Sequence, residues 1–258
     1  IYNQGVLMAA SQTKVIHDVV CQTAIYSKVD ASLVDNSENP QTFLMGECGA
    51  FIQGMGDDQA NDIIYGNHTA DKANMDGFAI RRPKLDGTLC IGMGGNTAGS
   101  MSSVYLVKWG QMTAHYIYPR GSKTIGVMRT DKGVQTVEDD VNGGQFEAYV
   151  NYFQCDYGLA VRNEKSVVRL CNIDSSSIDA KTLIMAILKA KRNLAKGDGT
   201  IAIYANSTIL GLMDAATVEK DNVIYNAEDP WGHELTKIRD MRLRQVDALL
   251  NTEDVVTA

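Results

Sequence analysis

Hydrophobic positions alternate most clearly between residues 104 and 122, where Val104, Leu106, Tyr116 and Tyr118 fall in β-branched or aromatic runs. Alternation of that kind marks strands. Gly110 can turn the chain between two strands here, and Pro119 stops the second. A pair of strands needs further strands and a covering helix to be stable, and the rest of the chain supplies candidates for both.

The period lengthens upstream. Phe43, Phe51, Met55 and Ile63, with Leu44, Ile52 and Ala60 beside them, recur at helical spacing. Asn39 and Pro40 form an N-cap and first-turn pair. The spacing predicts a helix from 40 to about 64, roughly 35 Å long at 1.5 Å per residue. Gly46, Gly49, Gly54 and Gly56 interrupt it, each costing up to about 1 kcal/mol relative to alanine. Such a helix needs packing to hold it, with its backbone close to another element. Gly66 is expected to end it as a C′ glycine.

Around this helix the pattern is weaker. Residues 1–28 are polar and β-prone, with Val15, Ile16, Val19 and Val20 in a Ser/Thr/Gln background. They read as a surface loop, an edge strand, or an extended arm that orders against a neighbouring subunit. Deleting them is expected to leave a folded subunit. Residues 29–35 suggest a short strand or turn, and 67–99 a loop-rich stretch. Residues 121–144 suggest a long exposed hairpin or loop, and 145–173 are β-rich again.

The texture changes at Ser175, Ser176 and Ser177, which offer an N-cap with Asp179 in the first turn. Leu183, Ile187 and Leu194 then share a face with Ile184, Leu188 and Ala190. Lys189, Lys191, Arg192 and Lys196 gather at the far end, and Gly197 closes the helix. A short strand at 201–204, a second helix capped by Asn206 and running to about 216, a strand-like stretch at 235–246 and a further strand or edge at 247–256 complete the reading. Residues from Ser175 onward form an α/β unit distinct from the helix-plus-sheet unit before it.

The chain's 258 residues, 45% apolar and 21% charged, suffice for one large domain or two modest ones. A net charge of -7 argues against sequence-independent binding to nucleic-acid phosphates. There is no apolar run of membrane-spanning length and no signal-peptide pattern. The cysteines Cys21, Cys48, Cys90, Cys155 and Cys171 are scattered and odd in number, and read as reduced, buried thiols made in a cytosol.

Candidate chemistry is sparse. The run of Gly92, Gly94, Gly95 and Gly99 suggests a phosphate loop, but no Gly-Lys-Ser/Thr follows it, and a strand rather than a helix is predicted next. His17, His68, His115 and His233 lack partners at metal-ligand spacing. Glu138, Asp139 and Asp140 read as a solvated turn. Against another copy of the chain they would seek a basic partner such as Arg81 and Arg82, or Arg242 and Arg244. The arginine pairs themselves read equally well as solvated faces. No catalytic, cofactor-binding or metal site is expected.

Four ordered blocks carry a family resemblance. They are Val29 and Asp30 with Leu33, Val34, Asp35, Phe51, Ile52, Gly54, Met55, Tyr65, Gly66 and Asn67; Trp109 and Gly110 with Tyr118, Pro119, Gly121, Ser122 and Lys123; Gly143 and Gly144 through Tyr149, Asp156, Gly158, Leu159, Val161, Arg162, Val167, Val168, Arg169, Asn172, Ile173 and Asp174; and Ile238, Arg239, Arg242, Arg244, Val246, Asp247, Leu249, Glu253 and Val255. Together they resemble the major capsid proteins of tailed bacteriophages, in the epsilon-fifteen-like podophage group with the Hong Kong 97 fold. The departures are Gln111, Met112 and Thr113, where the family tends to have proline and asparagine, and Met241 in place of a proline.

The resemblance implies an α+β fold with a long spine helix, a peripheral β-sheet domain and an α/β axial domain. It assigns residues 1–28 to the remnant of an extended loop, 29–174 to the peripheral domain and 175–258 to the axial domain. It implies a structural role without enzyme activity: self-assembly into hexamers and pentamers of an icosahedral head around double-stranded DNA. The partners are other copies of the chain, with portal, scaffold or decoration proteins as further ones. Packaged DNA is met only at the shell interior, no membrane is involved, and the protein is made in the bacterial host cytoplasm. Two alternatives stand beside it: a nucleotide-binding enzyme using the glycine run from 92 to 99, and a head accessory, scaffolding or decoration protein.

Overall fold

The computed structural model describes residues 14–121, 126–139, 142–218 and 236–257. In chain order its elements are β1 (Val20–Asp30), α1 (Ala31–Asp35), α2 (Pro40–Tyr65), α3 (Phe78–Arg81), β2 (Cys90–Gly92), β3 (Ser102–Trp109), β4 (Ala114–Ile117), β5 (Met128–Glu138), β6 (Gln145–Val161), β7 (Val167–Ile173), α4 (Ala180–Lys191), β8 (Thr200–Ala205), α5 (Ser207–Val218), β9 (Lys237–Ile238) and β10 (Met241–Gln245). A 3-10 turn at Glu164–Ser166 joins β6 to β7.

Among the described residues the strands form one ten-stranded sheet. β3 is its centre. It pairs antiparallel with β7 on one edge and with β8 on the other. β2 lies parallel beside β7, while β10 lies parallel beside β8 and is flanked by β9 at the outer edge. The second part of the sheet is built on β6, which pairs antiparallel with β1, β4 and β5.

Every residue of β3 from Ser102 to Lys108 is buried. Because side chains alternate across a strand, β3 serves two cores. Val104 and Leu106 join Val168, Leu170, Ile203 and Leu243 beneath α4 and α5, against Leu183, Ile187, Ile209 and Met213. Tyr105 and Val107 join Phe153, Tyr157 and Leu159 of β6, with Cys48, Met55 and Ile64 of α2 and Phe78 of α3. The first core therefore unites residues on both sides of Ser175.

The long helix forms where its period predicts. The Asn39 side chain caps it by accepting from Thr42 N at 3.3 Å, and Pro40 begins it. Its ending differs from the expectation. Gly66 has φ -49° rather than a left-handed conformation. Glycine is needed there for space, because a Cβ would run into the carbonyl oxygens of Asp62 and Met75. The four interior glycines differ too: a Cβ at Gly46, Gly49, Gly54 or Gly56 would meet nothing within 4 Å.

Other expectations are corrected by local chemistry. The strands on either side of Gly110 do not form a hairpin. β3 and β4 meet only at Trp109 and Ala114, and the chain leaves β3 to join β6. Residues 31–35 are helical because the Asp30 carboxylate accepts from Ser32 N at 2.7 Å. The loop-rich stretch holds α3 and β2. Ser176 and Ser177 bond to the Asp174 carboxylate, so Asp179 caps α4, and α4 ends at Lys191, well before Gly197. Residues 247–256 form no strand of their own; an isolated bridge from Glu253 to Met101 ties them down. Of residues 1–28, those from Val20 onward belong to β1, whose whole length pairs with β6 and which buries Cys21 and Val29, so the deletion would strip a structural strand. The first thirteen residues, 122–125, Asp140 and Leu235 lie outside the described residues.

Candidate assembly surfaces

A buried polar cluster ties β3, β7, the end of the long helix and the tail after β10 together. Arg169 on β7 pairs with Glu253 at 3.0 Å, and both are buried. The arginine also donates to Ser103 Oγ at 3.1 Å and to the Arg82 carbonyl at 3.2 Å, while Ser103 donates to the same carboxylate. Tyr65, the last residue of α2, donates to Glu253 Oε1 at 2.5 Å and accepts from Leu250 N at 3.0 Å. Burial, followed by the Glu253 charge, pushes the Tyr65 hydroxyl well above its ordinary pKa, so it stays a donor. Periodicity cannot reveal this cluster, although Tyr65, Arg169 and Glu253 all lie in the blocks that carry the resemblance.

The residues singled out from sequence fall elsewhere. The glycine run lies between β2 and β3, so no helix N-terminus follows it. Met93, Gly94, Gly95 and Asn96 line a cavity of about 460 Å³ with Asp174, Asp179 and Thr182. Two carboxylates face that space, and Asp179 already occupies the start of α4, so the lining repels a phosphate. His17 is exposed, His68 shares a hydrogen at 2.9 Å with the Asn74 carbonyl, and His115 lies on β4. His233 lies outside the described residues. Among the described residues no group of His, Cys, Asp or Glu is arranged to hold a metal. All five cysteines are free and buried. Cys90 and Cys171 bring their sulfurs to 3.6 Å, and the hydrogen bond between them holds the Cys90 thiol below its ordinary pKa.

The two arginine pairs separate. Arg81 bonds to Asp18 at 2.7 Å and to the carbonyls of Asp76 and Leu159 at 3.1 and 3.0 Å. Arg82 donates to the carbonyls of Val167 and Glu164. That pair is structural rather than a solvated face. Arg242 and Arg244 are exposed on β10, with no hydrogen bond or ion pair to another described residue.

Three surfaces are left uncovered. The first is the outer face of α2, where Met45 is 66% and Ile52 42% exposed, and where only Cys48, Met55 and Ile64 of 26 residues are buried. The second is the hairpin of β5 and the start of β6. All of β5 is exposed except Gly133 and Val137, which are half-buried. Its aromatic side shows Tyr26 against Tyr152 at 4.7 Å. The third is the β9–β10 edge. Beside it Trp109 stacks on Tyr116 at 5.0 Å and donates to Tyr204 Oη at 2.8 Å, over a shallow apolar cavity of about 160 Å³ that also touches Phe78 and Val246.

A family model described as major capsid protein GP7 matches residues 1–257. Among solved structures the chain is similar to a chain of the near-atomic cryo-EM structure of bacteriophage Epsilon15, at 30% identity and a TM-score of 0.72, with 100% of this chain and 80% of that one covered. Comparison with curated protein sequences returns no match.

Proposed function

The chain belongs to the major capsid protein GP7 family and is a structural subunit of a phage capsid, and from that premise we propose that its copies assemble into hexamers and pentamers of an icosahedral head around double-stranded DNA. The observation that carries this reading is β5. It is an 11-residue strand whose side chains are almost all exposed, in a sheet whose strands β3, β6 and β7 are largely buried. Exposed strand edges invite pairing unless something covers them, and a neighbouring copy can do so. The bare outer face of α2 supports the same reading.

In this assembly α2 is the spine helix, and α2 with the β6-based part of the sheet forms the peripheral domain. The unit from 175 to 258 is the axial domain, completed by β3 and β7 through the core they share with α4 and α5. The subunit is synthesised in the bacterial cytoplasm, with portal, scaffold or decoration proteins as further partners. The test is electron microscopy and light scattering of the full chain expressed alone. Regular shells or capsomers support the reading, and a chain that stays monomeric up to high concentration overturns it.

A further inference from the structure

The cationic edge of β9 and β10 stands out on a chain of net charge -7. Lys237, Arg239, Arg242 and Arg244 are exposed within eight residues of sequence. Arg242 lies opposite Lys237 across the strand pair. Arg242 and Arg244, two residues apart on one strand, share a face with about 7 Å between them. The only carboxylate at the turn, Asp240, is bonded to Lys191 and held below its ordinary pKa by it. The other arginine pair that the sequence offers, Arg81 and Arg82, is already engaged by hydrogen bonds.

An anionic face lies on the hairpin of β5 and β6, where Glu147 accepts from Thr136 Oγ1 at 2.6 Å. Glu138 on β5 lies opposite Gln145 on β6, and Thr136 lies opposite Glu147. Glu138 and Glu147 are therefore diagonal neighbours on one face of the hairpin, about 7 Å apart. Both are exposed, and Asp139 continues the acidic run. The hairpin stands at the opposite part of the sheet from β9 and β10, so the two faces do not meet within one subunit.

We propose that the Arg242–Arg244 face of one copy docks against the Glu138–Glu147 face of the next, head to tail. Two guanidiniums and two carboxylates at the same spacing give paired, charge-assisted contacts. A contact between different patches of identical subunits generates rings when the rotation closes. The proposal rests on the reading that copies of the chain assemble. The alternative occupant of a basic edge, packaged nucleic acid, is separated from it by the experiment below.

The experiment compares the full chain with R242E/R244E, with E138K/E147K and with the four substitutions combined. Circular dichroism and thermal unfolding first establish that each is folded. The expected result is that either double reversal raises the concentration for half-assembly by about tenfold or more at low salt, and that the combination brings it back to near the original. Reversals without effect overturn the proposal, as does a combination that fails to restore assembly. Shells that form normally with R242E/R244E but hold less DNA overturn it in favour of nucleic acid. Should a reversal misfold, R242Q/R244Q and E138Q/E147Q decide: both must flatten the salt dependence of assembly, and an unchanged slope overturns the proposal. A native chain that never assembles overturns the capsid-assembly reading itself, an outcome distinct from all of these.

Discussion

β3 and β5 belong to one sheet and are built on opposite principles. β3 reads Ser-Ser-Val-Tyr-Leu-Val-Lys-Trp, and its only partly exposed residue is Trp109. Its two faces fill two different cores. Even its charge is internal: Lys108 Nζ donates to the carbonyls of Ala195 and Gly197. β5 is three residues longer, 11 against 8, yet buries none of them. A strand buried on both faces contributes stability through apolar area and packing. A strand bare on both faces contributes little to the stability of its own subunit. In this subunit, then, folding energy and the surface proposed for assembly lie on different strands.

The sharpest way to break that division is to attack the part on which folding rests. Glu253→Ala leaves the buried Arg169 without its carboxylate and removes the acceptor of Tyr65 and Ser103. Removing one partner of a buried ion pair costs about 3–5 kcal/mol. Urea unfolding of the unassembled chain should show a loss of that size, and a change under about 1 kcal/mol would mean that the cluster carries no fold stability. Next in size, Leu106→Ala on β3 should cost about 2–5 kcal/mol through the cavity it leaves. Val134→Ala on β5, where Val134 is 50% exposed, should stay within about 0.5 kcal/mol. Equal losses at the two positions would erase the contrast between the strands.

Much of this architecture was legible in the chain, and the illegible parts have physical causes. The helices announced themselves by period and by caps: Asn39 before α2 and Asn206 before α5 both accept from the first-turn amides, at 3.3 Å and 2.9 Å. The strand character of β3 was equally plain. Its pairing was not, because Gly110 permits a hairpin as readily as a crossing, and the choice is made by β6, β7 and β8, which lie far away in sequence. The serines at 175–177 looked like a cap until Asp174 competed for their hydroxyls. The tail after β10 reads as a strand or edge, but it is held by one backbone bridge to Met101 and by side chains: Asn172 accepts from Val256 N at 2.8 Å and donates to its carbonyl at 2.9 Å. The candidate surfaces were readable mainly as an absence of pattern, in the polar stretch that became β5 and in the misplaced glycines of α2. The arginines could not be sorted by sequence at all, since Arg81 and Arg242 differ only in what the fold brings beside them.

A further small effect tests the comparison from its other side, because its sign should reverse between the free subunit and the assembled one. Gly49 lies in the interior of α2 and is exposed, and a Cβ there would meet nothing within 4 Å. In an isolated subunit Gly49→Ala should therefore raise stability by about 0.5–1 kcal/mol, through lower backbone entropy in the unfolded chain and better helix propensity. That corresponds to an increase of about 2 °C in melting temperature for a chain of this size. Gly66→Ala, at the helix end, serves as the control of opposite sign, because its Cβ collides with the carbonyls of Asp62 and Met75. If a neighbouring copy packs closely on the outer face of α2, the methyl group that stabilises the free subunit should weaken assembly, moving the half-assembly concentration upward while the melting temperature of the free chain also rises. A variant that is more stable and assembles as well as the parent would leave the glycines of α2 without an interface to explain them.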